Sequence, residues 1–195
     1  MARLSTEERQ LQIIDEAIKI IHEKGYQALA IRELANRVGV SEPALYRHFK
    51  NKEDIIRGIL DRMWQHGLSL EKQLEPLSDP KEKLKKLISS QLEYLEKYPE
   101  MTSVVFSEEI FQPNELLNQK LEKIIDYRLQ LIRNLIDEAK RSYRVVDVDT
   151  EDLSIVILGY IRMTVREWRR ANFSYSLMER GQRILDALEK IIFTK

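Results

Sequence analysis

The chain has 195 residues, and its 32 basic side chains balance 32 acidic ones for a formal net charge of zero. That length supplies one domain or two small ones with a real core, and 33% charged with 43% hydrophobic residues excludes a disordered tail or a membrane protein. Zero cysteines exclude a disulfide framework, a thiolate metal site and a cysteine nucleophile.

Nearly every segment reads at helical period, with glycine and proline falling between the periodic stretches. The N-terminus, Met1 to Glu8, has no apolar signal region, so a cytoplasmic location is expected. A first helix begins at Ser5 or Thr6, where a hydroxyl can cap and Glu7 and Glu8 meet the positive helix end. Leu11, Ile14, Ala17, Ile18 and Ile21 make its apolar stripe, and Gly25 ends it. A short helix follows over 31–38, with Ile31, Leu34, Ala35 and Val38 on one arc. Gly39 stops it, Ser41 caps a third helix reaching to about Phe49, and Asn51 caps a fourth with Asp54 as capping-box partner.

Glu75 to Pro80 is the best linker. Beyond it, long helices are expected near 81–98, 100–111, 114–141, 149–172 and 176–193, separated by Pro99, Pro113, Arg144–Val148 and Asn172–Ser176. The longest apolar run, Ser154 to Ile161, is broken by Gly159 and is far too short to span a bilayer. The expected fold is therefore all-α with about nine helices: an N-terminal three-helix domain at 1–52 and a helical bundle at 53–195.

Two short helices joined by Gly39-Val40-Ser41 form a helix-turn-helix. The third helix turns Leu45 and Phe49 inward and leaves Glu42, Pro43, Ala44, Tyr46, Arg47 and Lys50 outward, a face with few large apolar groups that suits a major groove. Residues 11 to 60, and above all the run from Ile31 to Lys52 with its Leu-Tyr-Arg-His-Phe-Lys-Asn-Lys string, resemble the DNA-binding domain of the TetR/AcrR family of transcriptional regulators.

The resemblance implies a recognition helix at Ser41–Phe49, a palindromic DNA operator, and a C-terminal bundle that binds a small effector and dimerises. Tyr46 and His48 match positions that hydrogen-bond phosphates, and Lys52 matches a basic residue facing the DNA backbone. Glu42, Pro43, Ala44 and Arg47 match positions that approach base edges, and of these only Arg47 has the fork that suits guanine. Lys50 is expected to help electrostatically. Ala30 stands where the family has a capping, phosphate-touching Ser or Thr, so affinity should lean more on Arg3, Tyr46 and the lysines.

In the bundle, a largely apolar effector site is expected from Tyr94, Phe106, Phe111, Tyr127, Leu131 and Met163, although aromatics and methionines at helical spacing are also what plain core uses. Arg162 lies too far from its helix end to serve the dipole, so it either pairs with Glu108 or Glu109 or meets an anionic ligand head. Ile157, Ile161, Ile184, Leu188, Ile191 and Ile192 resemble the family's dimer interface on the last two helices. The three scattered histidines form no metal cluster, and no nucleophile–base pair is visible, so neither metal, cofactor nor enzyme is expected. The leading expectation is a homodimeric repressor released from DNA by a hydrophobic or amphipathic effector. The alternatives are an architectural or division-linked DNA binder without an inducer and, further off, an all-α enzyme.

Overall fold

Capping residues and glycines set the element order. The computed structural model describes residues 4–193, with only the backbone of Glu108. Among those residues it holds nine α-helices: α1 (Thr6–Lys24), α2 (Ile31–Val38), α3 (Glu42–Tyr46), α4 (Lys52–Leu74), α5 (Pro80–Lys97), α6 (Met101–Val105), α7 (Glu115–Ser142), α8 (Thr150–Arg170) and α9 (Leu177–Ile192). The class is all-α, as the periodicity implied. The one extended pairing among the described residues is an isolated antiparallel bridge between Val145 and Phe193. None of these helices is long and apolar enough to cross a membrane.

Packing groups the chain into two units, Met1–Gln65 with Glu100–Glu122, and His66–Pro99 with Lys123–Lys195. The 52/53 boundary marks the start of α4, whereas the two units divide within α4 and α7.

In the first unit, Ser5 and Glu8 form a complete capping box: the Glu8 amide donates to the Ser5 hydroxyl at 3.1 Å, and the Ser5 amide donates to the Glu8 carboxylate at 2.7 Å. Ile13, Ile14, Ala17, Ile18, Ile20 and Ile21 are buried along α1, while Leu11 at its edge is 54% exposed. Arg37 on α2 donates to Glu23 and Glu33, which ties α2 to α1, and Arg62 on α4 pairs with Asp15. His22 Nδ1 lies 2.8 Å from the Ser103 hydroxyl and fixes α6 against α1.

The helix expected over 100–111 is shorter. α6 ends at Val105, and a 3-10 turn covers Glu108–Ile110. Met101, Thr102, Ser103 and Val104 are buried in succession, so packing on every side, rather than one amphipathic stripe, decides where this segment stops.

In the second unit, Asp79 caps α5 and Pro80 occupies its first turn. α5 and α9 pack closely at Gly181, where a Cβ would fall 2.4 Å from Leu92 Cδ1, so only glycine fits without displacing that leucine. Ser176 caps α9, and Glu96 of α5 accepts the Leu177 amide at 2.7 Å, so two side chains satisfy the helix start. At the other end Glu189 accepts Lys81 at 2.5 Å and Lys85 at 2.7 Å.

Hydrogen bonds from Lys81 and then Lys85 hold the Glu189 carboxyl below its ordinary value. A carboxyl lowered on folding contributes stability that is complete above its unfolded pKa and lost as pH falls through its folded one. Glu189→Gln is therefore expected to lower stability by about 1 kcal/mol or less at neutral pH. The difference should vanish in acid below the folded pKa, as read from urea midpoints at both pH values. An undiminished difference in acid would locate the effect in packing.

Candidate nucleic-acid interface

The helix-turn-helix depends on one backbone conformation and one cap. Gly39 sits at φ 74° and ψ 37°, left-handed geometry that a side chain disfavours, and its amide donates back to the Ala35 and Asn36 carbonyls. The Val40 amide also returns to the Ala35 carbonyl at 3.0 Å. Ser41 then caps α3 by accepting the Ala44 amide at 3.3 Å, with Pro43 in the first turn. Ala30 starts α2 with no side-chain cap, so the departure noted in the sequence has the local consequence it implied.

α3 is shorter than expected and ends at Tyr46 instead of near Phe49. Beyond it the His48 and Phe49 amides both donate to the Leu45 carbonyl, at 2.9 and 3.1 Å, closing a turn. Arg47 is the C-cap and keeps helical backbone angles. Leu45 is fully buried and Phe49 nearly so. Glu42, Pro43, Tyr46, Arg47 and Lys50 are exposed, and Ala44 and His48 are half-buried. His48 lies along an open groove of about 550 Å³ with Leu11, Phe49 and Arg62, and its buried Nδ1 makes no hydrogen bond.

The cations of this unit differ in commitment. Arg37, Arg57 and Arg62 are held by Glu23, Asp54 and Asp15, whereas among the described residues Arg47 and Lys50 enter no ion pair. Tyr46 (48% exposed), Arg47 and Lys50 thus offer donors on one short stretch of chain. Lys52 does not join them. Its ammonium donates to the Tyr26 carbonyl at 3.0 Å and lies 3.7 Å from the Tyr26 ring centre, and burial lowers its pKa. It pins the turn after α1 to the start of α4, a structural contact that its position in the motif does not by itself indicate. Asn51 caps α4 by accepting the Asp54 amide, and Asp54 accepts the Lys50 amide one residue earlier than a strict capping box would. Arg3 lies outside the described residues.

The residues expected to line an effector site are divided. Phe106 and Phe111 belong to the first unit, and Phe111 is 1% exposed among core neighbours. Tyr94, Tyr127, Leu131, Arg162 and Met163 belong to the second. Tyr127 packs 3.6 Å from where a Gly67 Cβ would stand and donates its hydroxyl to Glu71. Burial first, and then Glu71, push the Tyr127 phenol up to about 12. Arg162 is half-buried and engaged, and Met163 faces outward at 55% exposure, so Met163 is no lining residue of the bundle interior.

The expected dimer residues need a similar correction. Ile157, Ile161, Ile184, Leu188 and Ile192 are buried inside the subunit, so they have no surface to share, and of the six only Ile191 is exposed. The outward apolar face lies instead on Ile155, Val156, Tyr160 and Met163 of α8, around Gly159 with open space above it. Four-residue spacing links 155, 159 and 163, and likewise 156 and 160, a stripe legible in the sequence once the inward one is assigned. The sequence reading also passed over Arg128, which interrupts the apolar stripe of α7.

Comparison with known proteins divides the chain between residues 59 and 60. Residues 13–59 match the family described as bacterial regulatory proteins, tetR family, and residues 60–190 match the YsiA-like protein, C-terminal region. The chain is 29% identical over 187 residues to the fatty acid metabolism regulator protein of Bacillus subtilis, covering 95% of this chain and 96% of that one. It superposes on the crystal structure of the transcriptional regulator FadR from Bacillus subtilis in complex with stearoyl-CoA with a TM-score of 0.78 at 29% identity, covering 92% of this chain and 97% of that one. It is also 25% identical over 158 residues to the nucleoid occlusion factor SlmA of Vibrio vulnificus, covering 80% and 81% of the two chains.

Proposed function

The chain belongs to the TetR family of bacterial regulatory proteins, and we propose that it is a repressor that leaves its operator when a fatty-acyl effector binds the helical domain. It is a DNA-binding transcriptional regulator. The observation that carries the effector class is the likeness, across both halves of the chain, to a fatty acid metabolism regulator with a stearoyl-CoA complex.

The protein works as a homodimer in this reading. Ile155, Val156, Tyr160 and Met163 on α8 leave large apolar side chains exposed at four-residue spacings, as does Ile191 on α9, and exposed apolar faces of this kind favour a partner. A two-fold dimer reads a pseudo-palindrome with half-sites about 34–36 Å apart, or a multiple of that, so that both recognition helices meet one side of the duplex. Tyr46 and His48 serve phosphates, Glu42, Pro43 and Ala44 approach base edges, and Arg47 reads a base. Lys52 spends one of its three donors on Tyr26 and keeps two for a phosphate. A ligand moves this equilibrium only by binding one arrangement more tightly than the other.

Arg47→Ala should weaken binding to the selected operator by about 1–3 kcal/mol and relax preference at one base position. Fluorescence anisotropy on the operator and on random duplex checks this, and an equal loss on both would make Arg47 a backbone contact. The effector class is tested by adding saturated acyl-CoAs of increasing length, with free coenzyme A as control, and reading the melting temperature. A rise that grows with chain length is expected. No rise at any length would favour the uninduced DNA binder that the likeness to SlmA suggests.

A further inference from the structure

Arg128 stands where α7 should be apolar. Ile124, Ile132 and Leu135 are buried along one stripe of the helix, and Arg128 falls on that stripe between Ile124 and Ile132 at spacings of four. Its Nε is buried and makes no hydrogen bond. Among the described residues the guanidinium enters no ion pair; burial disfavours its charged form, and the Tyr94 phenol partly offsets that. Tyr94 in turn stacks on His66, with ring centres 3.8 Å apart, and tilts against Tyr98 at 5.2 Å. His66 likewise falls on the buried stripe of its own helix, between Met63 and Leu70.

Arginine does not escape burial by losing its proton, so an enclosed guanidinium stays charged and stays expensive. Desolvation lowers even its pKa, yet the residue keeps some accessible surface. The Nε is enclosed while part of the residue stays accessible, so an anion can still reach the guanidinium. Burying an unpaired charge is unfavourable until a partner arrives.

We propose that Arg128 is the anion-recognising residue of the effector site, and that the effector enters with an oxyanion, carboxylate or phosphoryl, against its guanidinium beside the stacked Tyr94 and His66 rings. The proposal rests on the fatty-acyl reading above and names the charge that the effector must carry. The guanidinium fork donates two parallel hydrogen bonds to two charged oxygens of one anion, which a neutral alcohol cannot supply. The same interaction makes the empty site less stable than an apolar one and the filled site more stable, a difference that lets ligand shift a conformational equilibrium.

The test uses the full chain and its Arg128→Met and Arg128→Lys variants with dodecanoate, dodecanoyl-CoA and dodecanol, read by calorimetry and by melting temperature. Arg128→Met should bind at least one of the two anions more weakly, on the order of ten- to a hundredfold. Which anion suffers distinguishes a carboxylate from a coenzyme phosphate. Dodecanol binding should be unchanged, Arg128→Lys should recover part of the loss, and ligand-free Arg128→Met should melt at or above the wild-type temperature. Equal losses for dodecanol and both anions, or a ligand-free variant that melts well below wild type, would overturn the proposal and make Arg128 structural. If the wild type binds none of the three lipids, the fatty-acyl reading itself fails, an outcome distinct from lipid binding that ignores Arg128.

Discussion

Val156→Glu and Met163→Glu are expected to convert the protein from dimer to monomer. Both side chains are more than half exposed in the subunit, so neither substitution removes core packing. Each would place an unpaired carboxylate in an apolar contact, at a penalty on the order of 3 kcal/mol or about a hundredfold in the dimer dissociation constant. Sedimentation at micromolar concentration reads the change, and the helical circular-dichroism signal should remain. Operator binding should fall with it, since each subunit alone holds only one half-site. Variants that stay dimeric would move the interface elsewhere, and a wild-type protein that sediments as a monomer would contradict the dimer itself.

Leu45→Ala should be the most damaging single change to the DNA-binding unit. Leu45 is completely enclosed, and its carbonyl also receives the His48 and Phe49 amides that close the chain after α3. A five-residue helix has no stability of its own, so its position is set by this anchor, by the Ser41 cap and by Gly39. Truncation should lower unfolding stability by about 2–5 kcal/mol. It should also lower operator affinity, because Tyr46 and Arg47 flank the residue removed. Leu45→Met, which keeps the volume, should cost less than about 1.5 kcal/mol and retain binding. Urea unfolding and anisotropy on the same samples separate the two effects. A stable Leu45→Ala variant with full operator affinity would show that α3 is held by other contacts.

The parts legible in the sequence are those where one side chain has one local task. Ser5 with Glu8, Ser41 with Ala44, and Gly39 each act within four residues, so the start of α1 and the whole α2–turn–α3 corner follow from the string itself. Legibility fails where tertiary packing chooses between equivalent options. α8 is apolar nearly all round between Leu153 and Ile161, and periodicity does not say which stripe, 153-157-161 or 155-156-160-163, faces its own core. The structure turns the first stripe into the subunit's own core and leaves the second exposed. Lys52 adds a contact of the same kind: its position in the motif points to phosphate, and only the fold brings the Tyr26 carbonyl and ring within its reach. Phe106 and Phe111 were grouped with Tyr94 by composition, and chain order carries them into a different packing unit. Arg128 shows the converse. A charged residue on an apolar stripe is visible in the sequence, but only the surrounding structure encloses its Nε with no carboxylate partner among the described residues.

Operator release is the most direct measurement. The protein is bound to a duplex that it has itself selected from a random library, at physiological salt because the phosphate contribution depends on it. Long-chain acyl-CoA is then titrated against the complex, with free coenzyme A in parallel, while anisotropy reports the bound fraction. The expected result is loss of the complex at acyl-CoA concentrations comparable to the protein, with free coenzyme A inert at the same level. A complex that stays intact at saturating acyl-CoA, bound to the protein by calorimetry, would contradict effector-controlled repression.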